Sequence, residues 1–150
     1  MRNILLFAAL LLSVFSKAQN PVTWNYWAKK ISDKTYEIHI ASKIQKGWHL
    51  YSQLQPADAI AIPTNIIFGK NPIINLNGKV KEIGKLEKYK EPTLGIEQWH
   101  YSDKVEFVQT ITLKANVGTK ISGNIEYQVC TNEKCLPPKM IQFSVDLNGK

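Results

Sequence analysis

The stretch Tyr127–Pro138, which reads YQVCTNEKCLPP, contains both cysteines of the chain. Cys130 and Cys135 are separated by four residues, and apolar and polar side chains alternate both before and after the stretch. This alternation predicts two half-buried strands with the two thiols at a turn or kink between them. Because Val129 belongs to the apolar, inward set, we expect Cys130 to face outward or to lie where its strand ends.

The same period of two recurs along the rest of the chain. It is clearest in Thr35–Lys43 and Lys104–Leu113, and it is also present in Val22–Ile31, Ile121–Val129 and Met140–Leu147. No segment after the N-terminal region keeps a helical period of 3.6 residues. Seven or eight short strands joined by turns are typical of an all-β antiparallel sandwich.

Two central segments carry weaker signals. Gly69–Gly78 is rich in turn residues, and Lys79–Gly95 is polar and charged. We interpret the first as turns and the second as a weak strand followed by a long exposed loop that Trp99–Tyr101 closes. His39 lies on the polar side of a predicted strand and is expected to be solvated or hydrogen-bonded, whereas His49 and His100 are expected to pack beside the cysteine loop.

The N-terminus has the layout of a secretory signal peptide. A short positive start is followed by the apolar run Ile4–Val14 and by the small-x-small site Ser16-Lys17-Ala18. The run is shorter than the roughly 20 residues that span a membrane. We therefore expect residues 1–18 to be removed and residues 19–150 to form one exported domain in the periplasm, without a stable membrane anchor.

The composition argues against nucleic-acid binding. The formal net charge of the chain is +7, but its only arginine is Arg2, inside the predicted signal peptide. Bidentate contacts to bases and phosphates depend mainly on arginine, so we expect no nucleic-acid partner. The lysines of residues 79–90 are interleaved with glutamates, which is typical of a solvated surface.

The spacing of the cysteines leaves two functions open. An exported pair of cysteines is expected to form one disulfide. A cross-link over about six residues stabilises a fold by only about 2 kcal/mol, so the bond is a weak staple. Two thiols in one turn, however, can resolve a mixed disulfide quickly. The residues alone favour neither redox exchange nor a structural bond, and they fall short of the four ligands of a zinc site.

Three segments resemble the N-terminal periplasmic domain of the thiol:disulfide interchange protein DsbD. Tyr127–Pro138 is similar to its cysteine segment, with a Tyr-Gln-x-Cys entry and a Cys-x-Pro-Pro exit. Gly47–Tyr51 (GWHLY) is similar to its Gly-aromatic-x-Leu-Tyr stretch, and Trp99–Asp103 (WHYSD) to the segment after its cap loop. The resemblance extends, in patches, from about Trp24 to Leu147.

This resemblance implies an immunoglobulin-like sandwich whose cysteines cycle between dithiol and disulfide without a cofactor or metal. Cys130 and Cys135 would be the redox pair, with Tyr51 and His49 beside them. Electrons would come from a DsbD-type membrane domain or a thioredoxin-like protein and pass to periplasmic oxidoreductases. Residues 87–98 would take the place of the cap that shields the sulfurs.

The chain departs from the family pattern in two places. Its cysteines are separated by four residues where about five are expected, and its cap segment lacks the phenylalanine and the paired acids of the family. Glu91 or Glu87 could replace those acids, and Leu94 could cover the sulfurs. The alternative function is a non-enzymatic binding or assembly domain of the same fold, with an inert structural disulfide.

Overall fold

The computed structural model describes residues 20–148, and these residues fold into antiparallel β-structure without a helix. The predicted signal peptide lies outside the described residues. The strands are β1 (Val22–Lys30), β2 (Thr35–Ile44), β3 (His49–Tyr51), β4 (Asn65–Phe68), β5 (Ile74–Gly84), β6 (Glu87–Lys90), β7 (Glu97–Tyr101), β8 (Lys104–Leu113), β9 (Thr119–Tyr127), β10 (Val129–Cys130) and β11 (Lys139–Leu147). The all-β prediction is confirmed, but the predicted number of seven or eight strands is wrong, since the described residues form eleven.

The strands form three sheets. The first sheet has the order β1-β2-β8-β5, and the second has the order β11-β9-β4. Together they enclose the core, in which Trp24 of β1 lies 6.1 Å from Phe107 of β8 and 5.2 Å from Tyr127 of β9 between ring centroids. The third sheet, which we name the site sheet, has the order β10-β3-β7-β6.

The segments with the clearest alternation of apolar and polar residues form the strands with the most buried side chains. In β2, Tyr36, Ile38 and Ile40 are buried as the alternation predicts. In β8, the whole odd-numbered row from Val105 to Leu113 is buried. These two strands pair with each other at the centre of the first sheet, so one face of each must be apolar.

The interpretation of residues 69–95 needs correction. Residues 74–84 form the long strand β5, which pairs with β8 and shifts register between Asn77 and Lys81. Gly78 supplies a positive φ of 73° at this irregularity. Because β5 lies at the edge of its sheet, most of its side chains are exposed, and the apolar alternation in its sequence is short and interrupted at Gly78. The predicted long loop is instead a hairpin of β6 and β7.

Glu82 connects the first sheet to the site sheet. Its carboxylate on β5 accepts hydrogen bonds from the Ser52 hydroxyl (2.6 Å), the Gln53 amide (2.6 Å) and the Tyr101 hydroxyl (2.8 Å). These donors belong to the segment after β3 and to β7, so the site sheet is held against the sandwich at one carboxylate. None of the described residues forms a helix that is long and apolar enough to cross a membrane.

Candidate functional site

The two cysteines close a tight loop at the end of β10. Cys130 and Cys135 are bonded, with their Cα atoms 4.0 Å apart. The loop between them turns at Thr131, whose amide donates to the Lys134 carbonyl (2.7 Å). The Thr131 hydroxyl accepts the amides of Glu133 (3.2 Å) and Lys134 (3.1 Å). The local sequence TNEK therefore determines the shape of the loop.

The two sulfur-bearing residues differ in exposure. Cys130 is 1% exposed, whereas Cys135 is an exposed residue. The expectation that Cys130 lies where its strand ends is confirmed, since β10 ends there, but its side chain does not face outward. A partner protein can therefore approach the pair only from the side of Cys135.

Strand register places the other candidate residues on the same face of the site sheet. His49 of β3 is the direct partner of Cys130, and Tyr51 two residues on is the direct partner of His100 in β7. His100 is in turn paired with Glu87 of β6. Residues that lie opposite one another in antiparallel strands, and residues two apart along one strand, point to the same face. The alternation of β3, β7 and β6 thus brings one side-chain row over the disulfide.

This row lines a groove of about 260 Å³ beside the cysteines. The sequence-predicted residues Cys130, Cys135, Tyr51, His49 and Glu91 all line it. The groove is also lined by Tyr89, Gln98, His100, Thr131, Asn132, Glu133 and Lys134. The structure therefore brings these five residues together beside the disulfide.

The two histidines pack against each other in this groove, as expected. The ring centroids of His49 and His100 are 4.2 Å apart, and the ring of Tyr51 meets His100 edge-on at 6.3 Å. His39, in contrast, lies outside the groove on the first sheet, stacked on Trp27 at 4.9 Å and hydrogen-bonded to Glu106. The expectation that His39 is a hydrogen-bonded residue is confirmed.

A chain of hydrogen bonds runs from the cysteine loop to β6 through His49. Its Nε2 lies 3.0 Å from Asn132 Oδ1, and its Nδ1 lies 3.0 Å from Ser102 Oγ. The Ser102 hydroxyl donates to Glu87 Oε2 at 2.8 Å, and the same oxygen is 3.4 Å from His100 Nε2. Four strand or loop segments are therefore coupled through one polar chain.

The environment shifts the pKa values of Glu87, His100 and Tyr51 in the site. The hydrogen bond from Ser102 lowers the pKa of Glu87, so this residue is a carboxylate at neutral pH. Burial, and then the nearby His49, lower the pKa of His100 and favour its neutral ring. Burial raises the pKa of Tyr51, so its hydroxyl keeps its proton. Tyr51 can therefore donate a hydrogen bond but is a poor base.

The hairpin of β6 and β7 forms one wall of the groove. The Glu91 carboxylate accepts the Leu94 amide at 2.5 Å and closes the hairpin turn, which lowers the pKa of Glu91. Gly95 completes the turn with a φ of 70°. Leu94 is 65% exposed and does not line the groove, whereas Tyr89, which the sequence did not single out, does.

Ser102, Asn132, Tyr89 and Gln98 are the site residues that sequence reasoning missed as candidates. Gln98, His100 and Ser102 follow one another at a spacing of two, and this alternation was the available signal. Within residues 20–148, no group of three or more His, Cys, Asp or Glu side chains is arranged to hold a metal ion.

A family model and several solved structures are similar to this chain. The family model for the N-terminal part of the thiol:disulfide interchange protein DsbD matches residues 19–147. The N-terminal periplasmic domain of ScsB from Proteus mirabilis is similar in structure, with a TM-score of 0.59 and 14% identity over 90% of this chain. The chain spans 49% of that ScsB chain.

A second solved structure is the complex between the DsbD N-terminal and PilB N-terminal domains from Neisseria meningitidis. It matches with a TM-score of 0.52 and 14% identity over 86% of this chain and 88% of that one. At these identities the likeness shows the fold, which is the expected immunoglobulin-like sandwich. No curated protein sequence matches the chain.

Proposed function

Because the chain belongs to the family of DsbD N-terminal domains, we propose that it is an exported thiol–disulfide exchange module that uses the Cys130–Cys135 pair. One observation carries the proposal: a short-loop disulfide joins an exposed cysteine to a buried one, beside a groove lined by ionisable side chains. A structural disulfide has no need for this asymmetry. An exchange pair does, since one sulfur must meet the partner while the other waits to resolve the intermediate.

The reaction moves two electrons from the module to its partner. In the reduced module, the Cys135 thiolate attacks one sulfur of the partner disulfide, and the other partner sulfur leaves as a thiolate. The Cys130 thiolate then attacks the Cys135 sulfur, forms the Cys130–Cys135 bond and releases the second partner sulfur as a thiolate. The module ends oxidised and the partner reduced, and no cofactor takes part.

Three further residues have supporting roles in this proposal. The protonated hydroxyl of Tyr51 can donate a hydrogen bond to a sulfur that carries negative charge in the groove. His49 faces Cys130 from the neighbouring strand. Glu91 holds the turn of the hairpin at residues 87–98, and this hairpin serves as the cap beside the sulfurs.

The same proposal assigns a place and partners to the module. Residues 1–18 direct export and are removed, and residues 19–150 act as a single domain in the periplasm. The donor is a DsbD-type membrane domain or a thioredoxin-like protein, and the acceptors are periplasmic oxidoreductases. The complex of a DsbD N-terminal domain with a PilB domain supports protein partners for this fold.

The first test is the reduction potential of the folded protein. We would equilibrate residues 19–150 in graded glutathione buffers, alkylate the free thiols and weigh the products. A potential between about −120 and −270 mV is expected, in the range of working oxidoreductases. A potential below about −300 mV would make the bond structural and the chain a non-enzymatic binding domain.

The second test is the capture of partners. A Cys130→Ser variant keeps the exposed attacking sulfur and lacks the resolving one, so it is expected to accumulate mixed disulfides in the periplasm. The matched Cys135→Ser variant leaves only the buried sulfur and is expected to accumulate far fewer. Equal absence of adducts from both variants would contradict exchange.

A further inference from the structure

His49 is placed to act on the buried sulfur of the pair. It lies directly opposite Cys130 on the neighbouring strand, and both residues line the groove. Directly opposed residues in antiparallel strands have Cβ atoms about 4.5–5.5 Å apart on one face. No other ionisable side chain of the described residues is paired in register with either cysteine.

The hydrogen bonds around His49 determine where its protons lie. Glu87 is a carboxylate and only accepts, so the single hydroxyl proton of Ser102 points to Glu87. Ser102 Oγ must then accept from His49, which places a proton on Nδ1. The other nitrogen, Nε2, faces the Asn132 oxygen, which is also an acceptor. Both ring nitrogens therefore lie within hydrogen-bond distance of an acceptor oxygen.

The groups around His49 can balance a proton that its ring takes up during the reaction. Burial lowers the pKa of the neighbouring His100, so a proton taken up by His49 is not opposed by a second charged ring beside it. Glu87 balances this charge through Ser102. The other ionisable groups that line the groove are Tyr51 on β3, Tyr89 on β6, Glu91 in the hairpin turn, and Glu133 and Lys134 in the cysteine loop. Lys134 is directed to the Trp48 ring, 5.9 Å from its centroid.

We propose, resting on the exchange reaction proposed above, that His49 is the base that activates Cys130. Ser102 and Glu87 position the His49 ring and balance the charge that it gains. In the reduced module, His49 Nε2 takes the proton from the Cys130 thiol. The resulting thiolate attacks the Cys135 sulfur of the mixed disulfide, and the partner sulfur leaves as a thiolate. The imidazolium can then donate its Nε2 proton to Asn132 Oδ1, which lies 3.0 Å from Nε2 in the oxidised structure. When the module is reduced again, the same proton returns to Cys130.

The experiment measures Cys130 alone. In the Cys135→Ser background, Cys130 is the only thiol, and its rate of alkylation by iodoacetamide against pH reports its thiolate fraction. A cation within 4–6 Å lowers a thiol pKa by at least about one unit, so His49→Gln is expected to slow alkylation at neutral pH about tenfold and to move the profile to higher pH. The matched control His39→Gln, on the first sheet, is expected to leave the profile unchanged.

One further variant and one further measurement extend the test, and the variant keeps it decisive if His49→Gln folds poorly. Glu87→Gln preserves the shape of the positioning residue and removes its charge, and it is expected to slow Cys130 alkylation about threefold in the same direction. In protein with both cysteines, His49→Gln is expected to lower the equilibrium constant for reduction by glutathione about tenfold, or about 30 mV, because the imidazolium no longer stabilises the thiolate.

The outcomes separate this inference from the proposed function. If both His49→Gln and Glu87→Gln leave the alkylation profile unchanged while the Cys130→Ser variant still captures partners, the role of His49 is refuted and exchange stands. If the wild-type potential is below about −300 mV and no partner is captured, exchange itself is refuted. A profile that shifts with His49→Gln but equally with His39→Gln also overturns the assignment, since the shift would then be nonspecific.

Discussion

Reduction of the Cys130–Cys135 bond is expected to cost the fold little stability. The bond joins residues five apart in sequence, so the loop it removes from the unfolded ensemble is short. The chain-entropy treatment gives about 2 kcal/mol for a loop of six residues, against nearly 5 kcal/mol for a loop of about 100. For a domain of this size, a loss of about 2 kcal/mol lowers Tm by about 5 to 10 °C. The reduced protein should therefore stay folded, as the proposed exchange cycle requires.

The assay compares the oxidised and phosphine-reduced protein in urea, with tryptophan fluorescence as the probe. Reduction is preferable to cysteine substitution, because removal of the buried Cys130 side chain would add a cavity. The matched control is Phe107→Ala, which empties a fully buried core position and is expected to cost about 3–5 kcal/mol. If reduction costs as much as Phe107→Ala, or changes the urea dependence as partial unfolding would, the bond is a structural staple and the reasoning is wrong.

Three other predictions follow from burial and packing. In the reduced wild-type protein, Cys135 is expected to be alkylated at least about tenfold faster than the buried Cys130. Peptide mapping identifies the alkylated residue, and faster labelling of Cys130 would mean that Cys130 carries the attacking sulfur. The pKa of His100 is lowered in the folded state, so the unfolded state binds more protons as the pH falls below the ordinary histidine pKa of 6.5. The free energy of unfolding is therefore expected to fall as the pH drops through that value. Urea titrations at a series of pH values should show a flatter dependence for His100→Gln. Gly123→Ala would place a Cβ 2.3 Å from the Ile67 carbonyl oxygen and is expected to destabilise the second sheet by about 1–3 kcal/mol in the same assay. In the control Gly118→Ala, the nearest atom to the new Cβ is the Leu147 carbonyl oxygen at 3.8 Å, so a smaller effect is expected.

The fold was predictable where a strand has one buried face, and the prediction failed where it has none. The rows in β2 and β8 are apolar because each packs against the core, and the alternation reveals them. β5 pairs with β8, and most of its side chains are exposed, so charged and turn-forming residues are tolerated in a real strand. Backbone pairing leaves little mark on side-chain composition, and for that reason the sequence indicated turns over the first half of β5 and only a weak strand over the second.

The site residues likewise divide into those that a local sequence signal reveals and those that it does not. Cys130 and Cys135 could be singled out because their spacing has chemical meaning within one short segment. The contribution of Ser102 and Asn132 could not, because it depends on which residue of β3 lies opposite which residue of β7 and β10. That register is determined by pairings between segments about 50 and 80 residues apart in sequence. A serine and an asparagine have no local signal that distinguishes a bond to His49 from an ordinary turn.

The core itself determines which residues face the groove. Leu50 of β3 is paired with Tyr101 of β7 and Val129 of β10, and all three are buried in the main hydrophobic cluster. Because side chains alternate along a strand, the neighbours of this apolar row, His49 and Cys130, must point to the opposite face. A shift of one residue in register would expose the apolar row and bury the polar one. The burial of Leu50 and its two partners is therefore what holds His49 over Cys130, so the orientation of the reactive face rests on apolar residues that take no part in the chemistry.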